Sequence, residues 1–443
     1  MKHLKKAYIG LVALLLVIPL ALFPFVKSSS AEKRELAPFP ALWTEGAFNT
    51  AFFSQLDTYL ADHFPGRSVL ISLNNAFKAQ VFATSDEEKI LVGQEDWLYF
   101  AETLPDYTRE SRLSEGDLDR LTTTLSLVQE RVEQAGGRFV FTIAPNKNTM
   151  YPEYMPAYPV ADLPSNLERL SALLEESGYY TDLRSLREQS EELLYHKRDS
   201  HWNNLGAYYA FDRLMQTAQR PHTIPAGPVT WEKNWRGDLE DMIFPALGYM
   251  DDQATVYSDW HYTVTSRYHG PEDILITTEN PAAEGRLLVF RDSFCNALLP
   301  YLAESYGAAT FTRAVPYDLQ DVAYDTVMLE IAERNLPNLL NAAPRMPAPH
   351  RDSVGDAVAC DPTAIRTEDK GELTHLYGIL PIEAGRVYLQ LTNGIDTLLV
   401  EAFPLLEKTL AEADPHAIGG FSAYIPAEYA EYTLTVFVEK EIA

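Results

Sequence analysis

The spacing of hydrophobic residues changes several times along this chain, and each change marks a segment. Ala7 to Val26 carries no charge for 20 residues, about the length that crosses the hydrocarbon core of a bilayer as a helix. Lys2, His3, Lys5 and Lys6 precede it. A basic head stays on the cytoplasmic side, so the rest of the chain is expected outside the cytoplasm. A cleaved signal peptide, with Ser29 and Ala31 as small residues at the cleavage site, gives the same topology. The run is longer than an ordinary signal core, so residues 1–32 read as an uncleaved membrane anchor. Residues 28–40 read as a polar tether. Helical spacing follows around Phe48 to Leu60, with Phe52, Leu56, Tyr59 and Leu60 on one face. Pro65-Gly66 breaks it, and a second helix is expected from Val69 to Val81. Val92 to Phe100 reads as two short strands around a turn.

From residue 114 the pattern alternates between helical and strand periods. Ser114-Glu115-Gly116-Asp117 opens a helix that Gly136-Gly137 closes. Arg138 to Ala144 predicts a buried strand, Asn166 to Ser177 a helix, and Tyr179 to Leu183 a short strand. Helices are expected over Leu186 to Tyr195 and Leu205 to Ala218. Residues 221–285 are less regular and read as an insertion, with strands at Ala254 to Tyr257, Tyr262 to Ser266 and Ile274 to Thr277. Order then resumes: strand Leu287 to Phe290, helix Cys295 to Tyr306, and strands Ala308 to Phe311 and Asp325 to Ile331. Strands alternating with helices imply an α/β fold whose parallel sheet is covered on both faces.

Residues 337–355 are proline-rich and read as a linker. Short strand candidates between turn residues come after it, at 373–379, 386–392, 397–401, 421–425 and 433–438. They suggest a small β-sandwich. The expected organisation is an anchor at 1–32, an α/β domain at 33–345 containing the 221–285 insertion, and a sandwich at 346–443. Tyr388, Phe421 and Tyr424 of the sandwich are candidates for stacking on sugars, although strand alternation favours core positions for them.

Composition is that of a globular protein, with a formal net charge of -27. Such a surface repels nucleic acid and other polyanions at long range, which leaves neutral or weakly charged partners. The two cysteines, Cys295 and Cys360, lie in different segments and are not expected to pair.

Two runs carry the candidate chemistry. Arg291-Asp292-Ser293-Phe294 places a serine after an apolar strand and before a helix. Active sites gather at that edge of open α/β sheets, and a helix N-terminus just beyond favours a developing oxyanion. Asp199-Ser200-His201-Trp202 offers a carboxylate and an imidazole one residue apart. If the runs meet, Asp199 orients His201, His201 deprotonates Ser293, and the chain handles acyl groups. Trp202 would wall the pocket or stack on a sugar ring. The alternative is that Asp199, Asp292 and Ser293 merely cap helices.

These two runs, in this order, resemble those of the DHHW proteins, relatives of the SGNH-hydrolase-like proteins of alginate O-acetylation. Gly93 to Phe100, Pro145-Asn146-Lys147, Tyr151 to Pro156, Asp182-Leu183-Arg184, Gly206-Ala207 and Glu330 to Leu336 resemble further family segments. The resemblance covers about residues 45 to 340. It implies an SGNH-hydrolase-like sheet and Asp199, His201 and Ser293 as a triad in permuted order. It also implies acetyl transfer on an extracellular polysaccharide, beside a membrane-bound O-acyltransferase as acetyl source, with no cofactor or metal. Two departures stand out: Arg291 replaces the glycine of the GDS form, and the Gly and Asn of the SGNH oxyanion hole are not assignable. Lys147, Tyr151, Trp202, Asn296, Arg313 and Arg334 are the substrate-pocket candidates, with a buried Glu330–Arg334 ion pair as the structural alternative for Arg334. A carbohydrate acetylesterase would share every catalytic part. A non-catalytic glycan-binding or assembly factor gains weight if the three side chains do not converge.

Overall fold

A computed structural model of the chain describes residues 36–44, 46–222 and 228–439, with a few isolated positions nearer the N-terminus. The predicted anchor, 7–26, falls almost entirely outside them. Among the described residues, no helix is long and apolar enough to cross a membrane.

The centre is a seven-stranded sheet. Its strands in chain order are β1 (Arg138–Ala144), β2 (Tyr180–Thr181), β3 (Thr263–Val264), β4 (Leu275–Glu279), β5 (Arg286–Phe290), β6 (Ala308–Thr312) and β7 (Thr326–Ala332). Their spatial order is β2-β1-β7-β5-β6-β4-β3. The first four junctions are parallel, from β2 through to β6. β4 runs antiparallel to β6, and β3 antiparallel to β4. The sheet is therefore mixed, not parallel throughout. The antiparallel edge comes from the region read as an insertion, because Leu275–Glu279 turns back directly into β5. The other strand there, Asp251–Thr255, pairs with Thr230–Trp235 outside the main sheet.

Both faces of the sheet are covered, and β5 shows why its sequence is continuously apolar. Leu287 and Val289 pack into one core, and Leu288 and Phe290 into the other. The first core receives helix α3 (Asn204–Thr217) and helix α4 (Cys295–Ser305); the second receives α1 (Glu115–Gln134) and α2 (Asn166–Leu174). Ser114 and Ser165 close reciprocal capping boxes with Asp117 and Glu168 at the starts of α1 and α2. The helix expected over 186–195 is absent. A 3-10 helix spans Arg184–Gln189, and Tyr195 instead bridges to Trp202. Of the apolar residues that suggested a helix, Leu186 is buried from that 3-10 turn, and Leu194 and Tyr195 from irregular backbone.

The C-terminal part forms two sheets. β8 (Val358–Cys360), β9 (Ala364–Asp369), β10 (Leu373–Leu380), β11 (Arg386–Thr392), β12 (Thr397–Ala402), β13 (Gly419–Pro426) and β14 (Thr433–Glu439) arrange as β8-β14-β11-β12 and β9-β10-β13 around their own core. Tyr388, Phe421 and Tyr424 are all buried. No sugar reaches those rings, so the core reading of them holds. Arg351 ties this part to α1 through Glu130, at 2.6 Å. Both cysteines are free thiols.

Candidate active site

Ser293 sits in the turn between β5 and α4, at the carboxyl edge of the parallel strands. The turn is clamped from both sides. Asp292 accepts from Ala332 N at 2.6 Å and Phe294 N at 3.0 Å. Its own amide donates to Glu330 Oε2 at 3.1 Å. Burial and the nearby Asp292 charge push the Glu330 carboxyl well above the ordinary range, so it is neutral beneath the turn and can donate a proton towards Asp292. Arg291, standing where a glycine was expected, reaches away from the serine to the carbonyls of Pro271 and Asp273 at 2.8 and 2.9 Å.

The second run meets this turn. His201 Nε2 lies 2.8 Å from Ser293 Oγ, although 92 positions separate them in sequence. Asp199 Oδ1 lies 2.7 Å from His201 Nδ1 and also accepts the His201 amide at 2.9 Å. That second bond is the turn a direct pairing needed: the aspartate folds the backbone two residues on and so brings the ring onto its own oxygen. The other oxygen, Oδ2, accepts from Trp235 Nε1 at 3.0 Å and Asp238 N at 3.1 Å. Gly237 makes this approach possible, since a Cβ there would stand 2.1 Å from Arg198 O. Asn203 ends the run by capping α3, accepting from Leu205 N and Gly206 N at 3.0 Å.

Burial alone would raise the Asp199 carboxyl, but the His201 charge and its hydrogen bonds outweigh this and hold it well below the usual range. Burial would likewise lower His201, yet Asp199, by charge and hydrogen bond, and Asp238 by charge leave it raised. Asp199 is thus an anion and His201 a strengthened base, half-open to solvent beside a half-open Ser293. Asp199, His201 and Asp238 also offer donor atoms within 4.8 Å of one another, as a metal site would. Here those atoms face each other: Nδ1 is turned to Asp199, and Asp238 Oδ2 accepts from Ser200 Oγ at 2.6 Å.

The six pocket candidates divide. Lys147, Tyr151 and Trp202 are buried and do not line a substrate pocket. Lys147 Nζ donates to the carbonyls of His196, Lys197 and Asp199 at 3.2, 2.9 and 2.6 Å, and burial lowers its pKa to about 8. Tyr151 Oη accepts from Leu194 N at 2.9 Å. Trp202 Nε1 donates to Phe294 O at 3.0 Å, with its ring packed edge-on to Phe294, so no sugar can stack on it. Asn296 and Arg313 stand at the rim but hold each other and Glu272, through Asn296 Nδ2 to Glu272 Oε1 at 2.7 Å and Arg313 to Glu272 Oε2. Arg334 remains. It makes no ion pair with Glu330. Its guanidinium lies 5.4 Å from the Phe294 ring centroid and 5.7 Å from that of Phe100, and its charge lowers His201. Asp238 and Trp235 escaped the sequence reading because they lie in the irregular 221–285 stretch; the Gly237-Asp238 helix start was their one local signal.

Residues 90–261 match the family model described as the SGNH hydrolase-like domain of the acetyltransferase AlgX. The match takes in Asp199 and His201 and stops before Ser293. The probable alginate O-acetylase AlgJ of Pseudomonas syringae pv. tomato is 24% identical over 178 residues, 39% of this chain and 41% of that protein. The chain thus spans about two fifths of the length of this curated relative, 41%. Two solved structures are similar. The O-acetyltransferase domain of Pseudomonas putida AlgJ is 21% identical, with 56% of this chain and 92% of that one covered and a TM-score of 0.38. A DHHW family protein from Eubacterium siraeum is 17% identical, with 51% and 87% covered and a TM-score of 0.38. The resemblance to the DHHW and alginate O-acetylation proteins stands, and the fold is SGNH hydrolase-like α/β with a mixed sheet.

Proposed function

We propose that this chain is an extracytoplasmic O-acetyltransferase for a cell-surface or secreted polysaccharide, held to the membrane by residues 7–26, and that Asp199, His201 and Ser293 are its catalytic triad. One observation carries the reading: an unbroken path of 2.7 and 2.8 Å from carboxylate through imidazole to hydroxyl, at the sheet edge. His201 Nε2 takes the Ser293 proton as Oγ attacks the acetyl carbonyl of a donor. The C–O bond to the donor breaks, and the departing oxygen receives that proton, leaving acetyl-Ser293. A sugar hydroxyl then gives its proton to His201 as it attacks the acetyl carbon, and Ser293 Oγ leaves with the proton. The Ser293 amide and the Arg334 guanidinium are the groups we assign to the negative charge on the carbonyl oxygen in each step. Residues 33–345 carry this chemistry and 346–443 buttress it. A membrane-bound O-acyltransferase is the acetyl source we assign.

The test uses the full chain, an activated acetyl ester and oligosaccharide acceptors. Acetylated sugar that disappears with Ser293→Ala supports transfer. Acetate release alone, equally Ser293-dependent, would make the chain an esterase. No Ser293-dependent product from several donors would leave glycan binding or assembly as its role.

A further inference from the structure

The helix Arg67–Phe82 is amphipathic in the reverse sense. Its inward face carries polar and small residues: Ser72 and Asn75 are buried, and Ala76 and Ala79 pack against Leu98, Leu239 and Ile243. Ser72 Oγ accepts from Ala246 N at 2.9 Å, and Asn75 donates to Ile243 O at 2.9 Å. Its outward face carries Leu70, Leu73, Phe77 and Val81, which are 53, 57, 60 and 56% exposed. Their spacing of three, four and four makes one continuous stripe. The large apolar side chains lie outward while polar and small ones lie inward, which opposes what water selects, and an exposed apolar surface of this kind marks a site of contact. The preceding helix, Phe52–Asp62, has no fully buried residue and exposes Phe53 at 70%.

We infer that this stripe docks on the surface of a lipid bilayer, lying in the headgroup region with its apolar side chains inserted. Three features favour lipid as the occupant. The charge-free run Ala7–Val26 ends nine residues before the described chain resumes at Leu36. A nine-residue tether reaches at most about 30 Å, so the first helices stay near the membrane the run would occupy. The charge also fits. Residues 46–84 hold Asp57 and Asp62 against Arg67 and Lys78, a balance of zero in a chain of net charge -27. The helix Arg67–Phe82 itself carries two bases, of which Lys78 pairs with Asp86, and no acid, so its own charge does not repel an anionic leaflet. An aromatic and aliphatic face without acids is also what interfacial helices present. The inference rests on the reading of 7–26 as the membrane attachment.

The experiment places a nitroxide at Leu73→Cys or Phe77→Cys in the full chain with Cys360→Ser, reconstituted in vesicles of phosphatidylcholine with a minority of phosphatidylglycerol. Ile395→Cys, in a turn that is 91% exposed, is the aqueous control. The expected result at 73 and 77 is collision with oxygen several-fold more frequent than with a water-soluble nickel chelate, and the reverse at 395. Frequent nickel collision at 73 and 77 overturns the inference, because the face is then in water. Infrequent collision with both reagents also overturns it, because protein, such as a second copy, then covers the face. Flotation of the vesicles separates the two readings. A chain that floats with probes in water loses only the docking face, and a chain that does not float loses the attachment as well.

Discussion

Asp238 Oδ2 stands 3.8 Å from His201 Nδ1, on the flank of the imidazole that Asp199 already faces at 2.7 Å. Two carboxylates therefore favour the imidazolium, and one guanidinium, Arg334, opposes it. The base must be neutral to accept the serine proton, so activity falls as pH drops through the His201 pKa. Because that pKa is raised, the acid limb of kcat/KM is expected above the ordinary imidazole value of about 6.5. Asp238→Asn should move the limb to lower pH, and Arg334→Gln should move it to higher pH. Limbs that coincide in all three proteins would mean that another group controls the profile.

Trp235 tests the support of Asp199. Its indole donates to Asp199 Oδ2 at 3.0 Å while its ring stacks on His196, the centroids 5.1 Å apart. Trp235→Phe keeps the stack and removes the hydrogen bond. A bond to a charged group contributes about 1.5–3 kcal/mol, but Trp235 is 39% exposed and water can replace its donor. The expected loss is about tenfold in kcat with KM unchanged. A raised KM at constant kcat would instead place the indole against substrate.

What the sequence conveyed about this site was the identity of its parts, not their support. Ser293 was legible because a continuous apolar run ending in a small polar turn has few places in an α/β sheet. Asp199 and His201 were legible as a pair, but the bond that joins them depends on an amide donating two residues back, which no spacing rule announces. Lys147, Tyr151 and Trp202 misled because a polar or aromatic residue beside a motif looks like a binding group. In space each satisfies buried backbone: Lys147 three carbonyls, Tyr151 the Leu194 amide, Trp202 the Phe294 carbonyl. The antiparallel edge was hidden for a different reason. Strand direction is set by how a connection turns, and the short link from Leu275–Glu279 into Arg286–Phe290 leaves no room for a crossover helix.

Lys147 is expected to matter for stability before activity. It is buried with no carboxylate partner among the described residues, and it holds the 196–199 loop by three carbonyls while its ammonium lies 5.2 Å from the Tyr99 ring centroid. Lys147→Met keeps the volume and removes the donor to the His196 and Asp199 carbonyls, while Lys197 O keeps the Leu98 amide at 2.9 Å. A loss of about 3 kcal/mol or more is expected in denaturant unfolding, with acetyl transfer falling alongside because Asp199 ends that loop. A variant as stable as the parent would show that water replaces the amine and that the loop stands without it.

Glu333 links the fold to pH. Its Oε2 accepts from Asn146 N and Thr149 Oγ1, each at 2.7 Å. Its Oε1 has no donor among the described residues and faces the Asp106 carboxyl, so a proton on one of the pair satisfies both. Burial, with the Asp106 charge added, pushes Glu333 up to about 8. The folded chain therefore holds a proton that the unfolded chain releases near its ordinary carboxyl value of about 4.3. The stability this contributes is fully present below that value, and it declines as pH rises and is lost through the folded pKa. The Tm of the parent is expected to fall across this window, and Glu333→Gln, which keeps a donor towards Asp106 at every pH, should fall less. Equal slopes in the two proteins would assign the pH dependence to other carboxyls.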